Sequence, residues 1–288
     1  MNLNYTQNLH GILSGSTLLD EASSEGCRMV LHKNILYCAY LNNGEVRISS
    51  RQQSSAHWNL GTPVTSLVST VIPGLVSFKD QLFMVYKDTS GSAVVCKYNE
   101  TTQTFTQTSV LTDGLSQTPT FAVLNGVLHM FYKHPGFASI FYRTTTNLVT
   151  WTSWKTIQKD KDNNVSTYLS PVATLYQNLI HLIYEDRDDK KVYLLKSDGE
   201  NWTSSILLIN KRYGHSPGLA VHNGLLKLIF IGRNNRLDQY TYDGNAVSPV
   251  IPSSGLQSGA GSPGLAVQHG ALVAVFPDYV PPATLSAS

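Results

Sequence analysis

The chain has 288 residues, a formal net charge of +2, and 14% charged against 42% hydrophobic side chains. So even a balance, with no basic stripe, excludes a nucleic-acid backbone as partner, and no apolar run nears the length of a membrane span. The opening MNLNYTQNLHGILSG lacks a basic segment followed by an apolar one, so no signal peptide is expected.

That start leaves localisation open between the cytoplasm and release by a non-classical route. Cys27, Cys38 and Cys96 cannot all pair and show no metal-ligand spacing, so reduced, semi-buried strand cysteines are expected. The nine histidines form no ligand spacing either. Neither a metal nor a cofactor is expected.

In chain order, six segments share one layout: CRMVLHKNILYCAY from Cys27, PGLVSFKDQLFMVY from Pro73, PTFAVLNGVLHMFY from Pro119, PVATLYQNLIHLIY from Pro171, PGLAVHNGLLKLIF from Pro217 and PGLAVQHGALVAVF from Pro263. Their starts lie 46 residues apart, with one interval of 52 between Pro119 and Pro171. The longer interval is assigned to the polar loop QKDKDNNVS at 158–166, since loops absorb insertions cheaply. Each segment is an apolar run, a two-residue polar step and a second apolar run. The steps are Lys33-Asn34, Lys79-Asp80, Asn125-Gly126, Gln177-Asn178, Asn223-Gly224 and His269-Gly270. Asn-Gly between such runs predicts a type I′ hairpin, whose two central residues need positive φ. Leu36, Leu82, Leu128, Ile180, Leu226 and Leu272 fill one column; Tyr40, Tyr86, Tyr132, Tyr184, Phe230 and Phe276 fill another. Both are expected to be core.

A third strand-like run follows each hairpin: VRISSRQ, VVCKYNE, IFYRTTT, VYLLKSD, LDQYTYD and finally ATLSAS. A fourth run opens at Trp58, Phe105, Trp151, Trp202 and Val247. Four antiparallel strands in 40–50 residues, repeated in series, predict an all-β, six-bladed β-propeller. It forms one domain over 1–288, with blades starting near 27, 73, 119, 171, 217 and 263. The sixth copy lacks a fourth run, and residues 1–20 are expected to complete it. Ile12 stands 15 residues before Cys27, as Trp58 stands 15 before Pro73, so ILSGSTLL is predicted as the outer strand of the last blade. NLNYTQN and ATLSAS compete for its third strand.

Between third and fourth runs, KSDGENWTS (Lys196–Ser204) resembles the Asp-box of sialidase-like propellers. RTTTNLVTWTS (Arg143–Ser153) and TYDGNAVS (Thr241–Ser248) are weaker copies. Physically the box is a turn, in which a carboxylate or amide accepts backbone N–H groups and a Trp packs beneath. The six-blade layout also resembles the propeller lectins of bacteria and fungi, which bind sugars between adjacent blades. Sialidases need three arginines clamping a carboxylate, a Tyr/Glu nucleophile pair and an acid/base Asp. The eight arginines and six glutamates here match no such set, and no catalytic residue is assigned.

Loops joining second to third strands, and each blade to the next, share one face. They include KDTSG (87–91), TDGLSQT (112–118), KHPGF (133–137) and EDRDDKK (185–191). The ligand-binding cluster singled out is Glu185, Asp186 and Arg187 with Tyr213, His215, Arg233 and Asn234, which combines bidentate polar groups with an aromatic ring. Trp58, Trp151 and Trp202 stand on the repeat column and are expected to pack. Trp154 stands off it and is the better surface candidate. The leading function is multivalent, non-catalytic binding of glycans or glycoproteins at shallow repeated sites. A protein-interaction or toxin-associated host-contact module comes second, and a sialidase-like hydrolase third. Membrane insertion is not expected; oligomerisation is left open.

Overall fold

Each two-residue step is a turn with both central residues in the left-handed region. The φ pairs are 45° and 67° at Lys33-Asn34, 49° and 56° at Lys79-Asp80, and 50° and 71° at Asn223-Gly224. Asn125-Gly126, Gln177-Asn178 and His269-Gly270 match them. Two positive φ values give the turn the twist of the flanking strands, so every step closes a hairpin. Lys33, Lys79, Gln177 and His269 hold this conformation without being glycine.

In this computed structural model the described residues are 2–8, 17–23, 25–53, 55, 57–158, 163–232, 235–250 and 258–278. The chain opens with β1 (Asn2–Asn8) and β2 (Thr17–Ala22). Blade 1 is β3 (Cys27–His32), β4 (Ile35–Asn42), β5 (Glu45–Arg51) and β6 (Asn59–Val68). Blade 2 is β7 (Gly74–Phe78), β8 (Gln81–Lys87), β9 (Ala93–Asn99) and β10 (Thr104–Leu111). Blade 3 is β11 (Thr120–Leu124), β12 (Val127–Lys133), β13 (Ile140–Thr145) and β14 (Lys155–Thr156). Blade 4 is β15 (Val172–Tyr176), β16 (Leu179–Glu185), β17 (Val192–Ser197) and β18 (Ile206–Ile209). Blade 5 is β19 (Gly218–His222), β20 (Leu225–Ile231), β21 (Leu237–Tyr242) and β22 (Val247–Val250). β23 (Gly264–Gln268) and β24 (Ala271–Pro277) begin blade 6.

Blade 6 has the strand order β2-β1-β24-β23, so the two ends of the chain meet in one sheet and close a six-bladed β-propeller. NLNYTQN takes the third-strand place: β1 pairs with β24 from Leu3↔Pro277 to Asn8↔Leu272. ATLSAS (283–288) and Ile12 lie outside the described residues. The outer strand of this blade is Thr17–Ala22, five residues later than ILSGSTLL begins. In blades 3 and 4 the outer strand starts at Lys155 and Ile206, four residues after Trp151 and Trp202. A side-chain-capped turn precedes the strand in both blades, and also in blade 5, where β22 follows it directly at Val247. Asp198 accepts the N–H of Glu200 (3.0 Å) and Asn201 (2.8 Å), and Trp202 makes only an isolated bridge to Ser197. Asn147 and Asp243 accept in the same pattern, with Leu148 and Gly244 at positive φ. The backbone N–H groups hold the Asp198 and Asp243 carboxyls below the usual range.

The core lies between blades rather than at the axis. Tyr132, Phe141 and Met130 of blade 3 pack against Val85, Val95 and Leu111 of blade 2. Tyr184 and Leu182 pack against Phe131 and Ile140, and Phe230 packs against Ile183 and Leu194. Between blades 6 and 1, Leu3 and Val275 meet Cys38 and Tyr40. The two repeat columns are buried throughout, each large side chain contributing about 2 kcal/mol relative to exposure. Trp58, Trp151 and Trp202 pack against these clusters. The three cysteines are buried and unpaired with one another.

Candidate functional site

The sequence-selected cluster lies on the loops at blades 4 and 5, and its members have unlike surroundings. Glu185 ends β16, where Oε2 accepts the N–H groups of Tyr213 (2.8 Å) and Gly214 (3.0 Å). Its carboxylate therefore ties one blade to the loop that leads into the next. Asp186 is buried and accepts the N–H of Asp188 at 2.9 Å, shaping the turn at 186–191. Tyr213 is 4% exposed; its ring stacks on Phe230 at 4.2 Å, and its hydroxyl meets Asp238 (3.0 Å) and Tyr240 (2.6 Å). Burial, then the hydrogen bonds to Tyr240 and Asp238, push its pKa far up. Arg187 alone of these four presents its side chain outward, over the ring of Tyr168 at 5.4 Å, with Lys190 over the same ring at 4.4 Å. Tyr168, 53% exposed, did not stand out in the sequence because a lone Tyr in a polar loop carries no spacing signal. Arg233 and Asn234 lie outside the described residues.

His215 completes the described part of this cluster. Burial lowers its pKa, against the opposing pull of Glu25 and Glu185. His129 and His181 are lowered by burial as well. For each, the unfolded chain takes up a proton near pH 6.5 while the folded one does not. Stability from these groups is thus present above about pH 6.5 and is lost as pH falls through that value towards the depressed folded pKa. The melting temperature is expected to fall between pH 7.5 and 5.5. His181→Gln should flatten that slope in calorimetry; an unchanged slope in this variant would contradict the assignment.

A second arrangement appears between blades 2 and 3. Asp113, in the loop between these blades, accepts from Tyr132 Oη (2.7 Å) and Arg143 Nε (2.6 Å). Arg143 Nη1 donates to Thr152 O at 2.7 Å. The Asp113 and Arg143 side chains are each 13% exposed. Burial alone would lower the Arg143 pKa, but the bonds to Asp113 and Tyr132 outweigh it and hold it above its ordinary value. Two residues before Arg143, and so on the same face of β13, Phe141 carries an aromatic shelf. Trp154 lies 5.1 Å from its ring, His134 5.3 Å and Phe137 5.9 Å. Phe137 is 59% exposed and Trp154 53%. Large aromatics left this open, with rings tilted by 39° and 58° to Phe141, form an apolar shelf beside a polar pair.

The other clefts differ. Opposite the aromatic column stand Arg47 on Tyr40, Val94 on Tyr86, Phe141 on Tyr132, Tyr193 on Tyr184, Asp238 on Phe230 and Asn4 on Phe276. The framework repeats while the residue paired with the aromatic column changes from blade to blade. Among the described residues, no group of three or more His, Cys, Asp or Glu could hold a metal ion, and no helix is long and apolar enough to cross a membrane.

No protein-family model matches the chain, and no curated protein is similar to it in sequence. Solved structures are similar in shape. The SapL1 lectin in complex with alpha methyl fucoside superposes with a TM-score of 0.63 at 13% identity, over 85% of this chain and 86% of that one. The six-bladed fungal lectin of Aleuria aurantia, described with a novel fucose recognition mode, gives 0.60 at 12% identity over 84% of each chain. The sialidase of Trypanosoma rangeli gives 0.59 at 10% identity, over 91% of this chain and 56% of the enzyme. The likeness is one of fold.

Proposed function

We propose that this protein binds carbohydrate without catalysis, using the shelf of Phe137 and Trp154 above Phe141 as its main platform. The observation that carries the proposal is the exposure of two large aromatics on a rigid base, beside the Asp113–Arg143 pair. A sugar's C–H face stacks on such a shelf while its hydroxyls bond to polar groups at the rim. The fold likeness to SapL1 and the Aleuria aurantia lectin supports a saccharide as ligand. The turns at Asp198, Asn147 and Asp243 fit the Asp-box reading and act as structural pins.

Arg187 and Lys190 around Tyr168 form a second, smaller patch of the same kind at the neighbouring cleft. The unlike clefts support a few dissimilar sites, and multivalency would come from these rather than from six equal ones. Of the sequence-selected cluster, Arg187 and His215 are proposed to touch ligand, while Glu185, Asp186 and Tyr213 hold the loops that carry them. A hydrolase would need two carboxyls poised across a glycosidic bond. Glu185 and Asp113 are instead spent on internal donors, which supports the non-enzymatic assignment.

A glycan array with the purified protein should show binding to a restricted set of saccharides. Trp154→Ala should weaken the best ligand at least tenfold, a change of about 1.4 kcal/mol, with the melting temperature little changed because the ring is half open to solvent. Binding to no glycan, or equal binding by Trp154→Ala and Phe137→Ala, would sink the proposal and favour a protein partner. Fluorogenic glycosides should not be turned over.

A further inference from the structure

At the axis of the propeller lies a partly open cavity of about 330 Å³, lined by the six innermost strands. Its side chains are mostly small or apolar, with Ser77, Thr120 and Thr174 as hydroxyls and, among the described residues, Arg28 as its one charged residue, while backbone polar groups share the surface. Arg28 stands in the second position of β3, where the other five blades have Gly74, Thr120, Val172, Gly218 and Gly264. Its Nη1 donates to Cys27 O at 3.1 Å. Its Nε is buried with no hydrogen-bond partner among the described residues, while other parts of the side chain remain open to the cavity.

A guanidinium in this position is costly, because a buried charge loses several kcal/mol of hydration unless an opposite charge or full hydrogen bonding replaces it. No Asp or Glu is among the residues that line the cavity. Each of β3, β7, β11, β15, β19 and β23 is an edge strand of its sheet. Edge strands present both N–H and C=O groups, and one wall N–H, that of Ala173, already donates to Thr120 Oγ1 at 3.0 Å, so the charge that would hold a negative group is that of Arg28. Burial pushes the Arg28 pKa down to about 10, against a smaller opposing effect of Cys27, and leaves the side chain cationic at neutral pH.

We propose that the axial cavity is an anion site, in which a small oxyanion, a phosphate or a carboxylate, is held by the fork of Arg28. The planar guanidinium suits bidentate oxyanion binding. The volume suits a small anion with a few waters, each water taking about 30 Å³ of liquid volume. This site is separate from the aromatic shelf and does not depend on the sugar-binding proposal.

The test is thermal unfolding of the full chain, with inorganic phosphate and acetate titrated separately at constant ionic strength. The wild-type melting temperature should rise along a saturating curve with at least one of them. Arg28→Gln should lose that response, its apparent affinity falling at least tenfold, while its melting temperature without anion matches or exceeds the wild type. A response to phosphate alone assigns a tetrahedral oxyanion, to acetate alone a carboxylate, and to both a general oxyanion site. No response to either, or an equal response in Arg28→Gln, overturns the proposal. Should Arg28→Gln fail to fold, bromide-soaked wild-type crystals decide. An anomalous peak within hydrogen-bond reach of the guanidinium supports the site, and its absence there overturns it. Glycan binding should be the same in wild type and Arg28→Gln.

Discussion

Removal of residues 1–8 is expected to unfold the propeller as a whole rather than fray one blade. β1 lies between β2 and β24, so its loss breaks two ladders at once and leaves β24 as an exposed edge. Leu3 is fully buried among Val275, Cys38 and Tyr40, the cluster that joins blade 6 to blade 1. In an open array of repeats the loss of one contact is local. In a ring it also separates the two blades on either side, and each then exposes an apolar face. Six backbone pairings at about 1 kcal/mol each, with buried side chains at about 2 kcal/mol each, amount to a large share of the 5–15 kcal/mol typical of a folded domain. The shortened protein should be insoluble or lack a cooperative transition in scanning calorimetry, and a peptide of residues 1–23 added in trans should recover part of it. Cooperative melting within a few degrees of the intact chain would show that closure contributes little.

The second large effect belongs to Asp113. Replacing it with Ala leaves the Arg143 guanidinium without its carboxylate and the Tyr132 hydroxyl without an acceptor, both largely out of water. Removing one partner of such a pair costs about 3 kcal/mol or more, a fall in melting temperature of roughly 5–10 °C for a chain of this size. Arg143→Met in the Asp113→Ala background should recover much of the loss, since an apolar pair strands no charge. Urea unfolding of the two single variants and the double variant measures the coupling. Strict additivity would mean that the two residues act independently. Because Arg143 shares a strand face with Phe141, the single Asp113→Ala variant should also weaken glycan binding.

Much of this molecule was legible in the chain because it depends on local rules. The paired positive φ values at Asn125-Gly126 and Asn223-Gly224 follow from residue type alone, and the steps at Lys33-Asn34 and Gln177-Asn178 followed from their place in the same pattern. The buried columns from Leu36 to Leu272 and from Tyr40 to Phe276 followed from period and alternation. Where an outer strand begins was not legible. Trp151 and Trp202 mark the right columns, yet the outer strands of these blades begin four residues later, while β22 begins on its column at Val247.

The choice of site shows the same boundary. Glu185 and Tyr213 have suitable chemistry for a ligand, but a carboxylate gives no sign in sequence that the N–H groups of another loop will occupy it. Asp113, Arg143, Phe137 and Trp154 are scattered over 42 residues and belong to four separate segments, so nothing in their spacing marks them as neighbours. By itself the sequence determined the six blades, their hairpins and the packed columns, because strand alternation and turn chemistry act over a few residues. Only the tertiary structure decided that β1 takes the third-strand place of blade 6, that an aromatic shelf stands open beside an ion pair, and that Arg28 faces the axis. Those outcomes depend on which distant segments the closed ring brings together, and on which polar groups find a partner there and which do not.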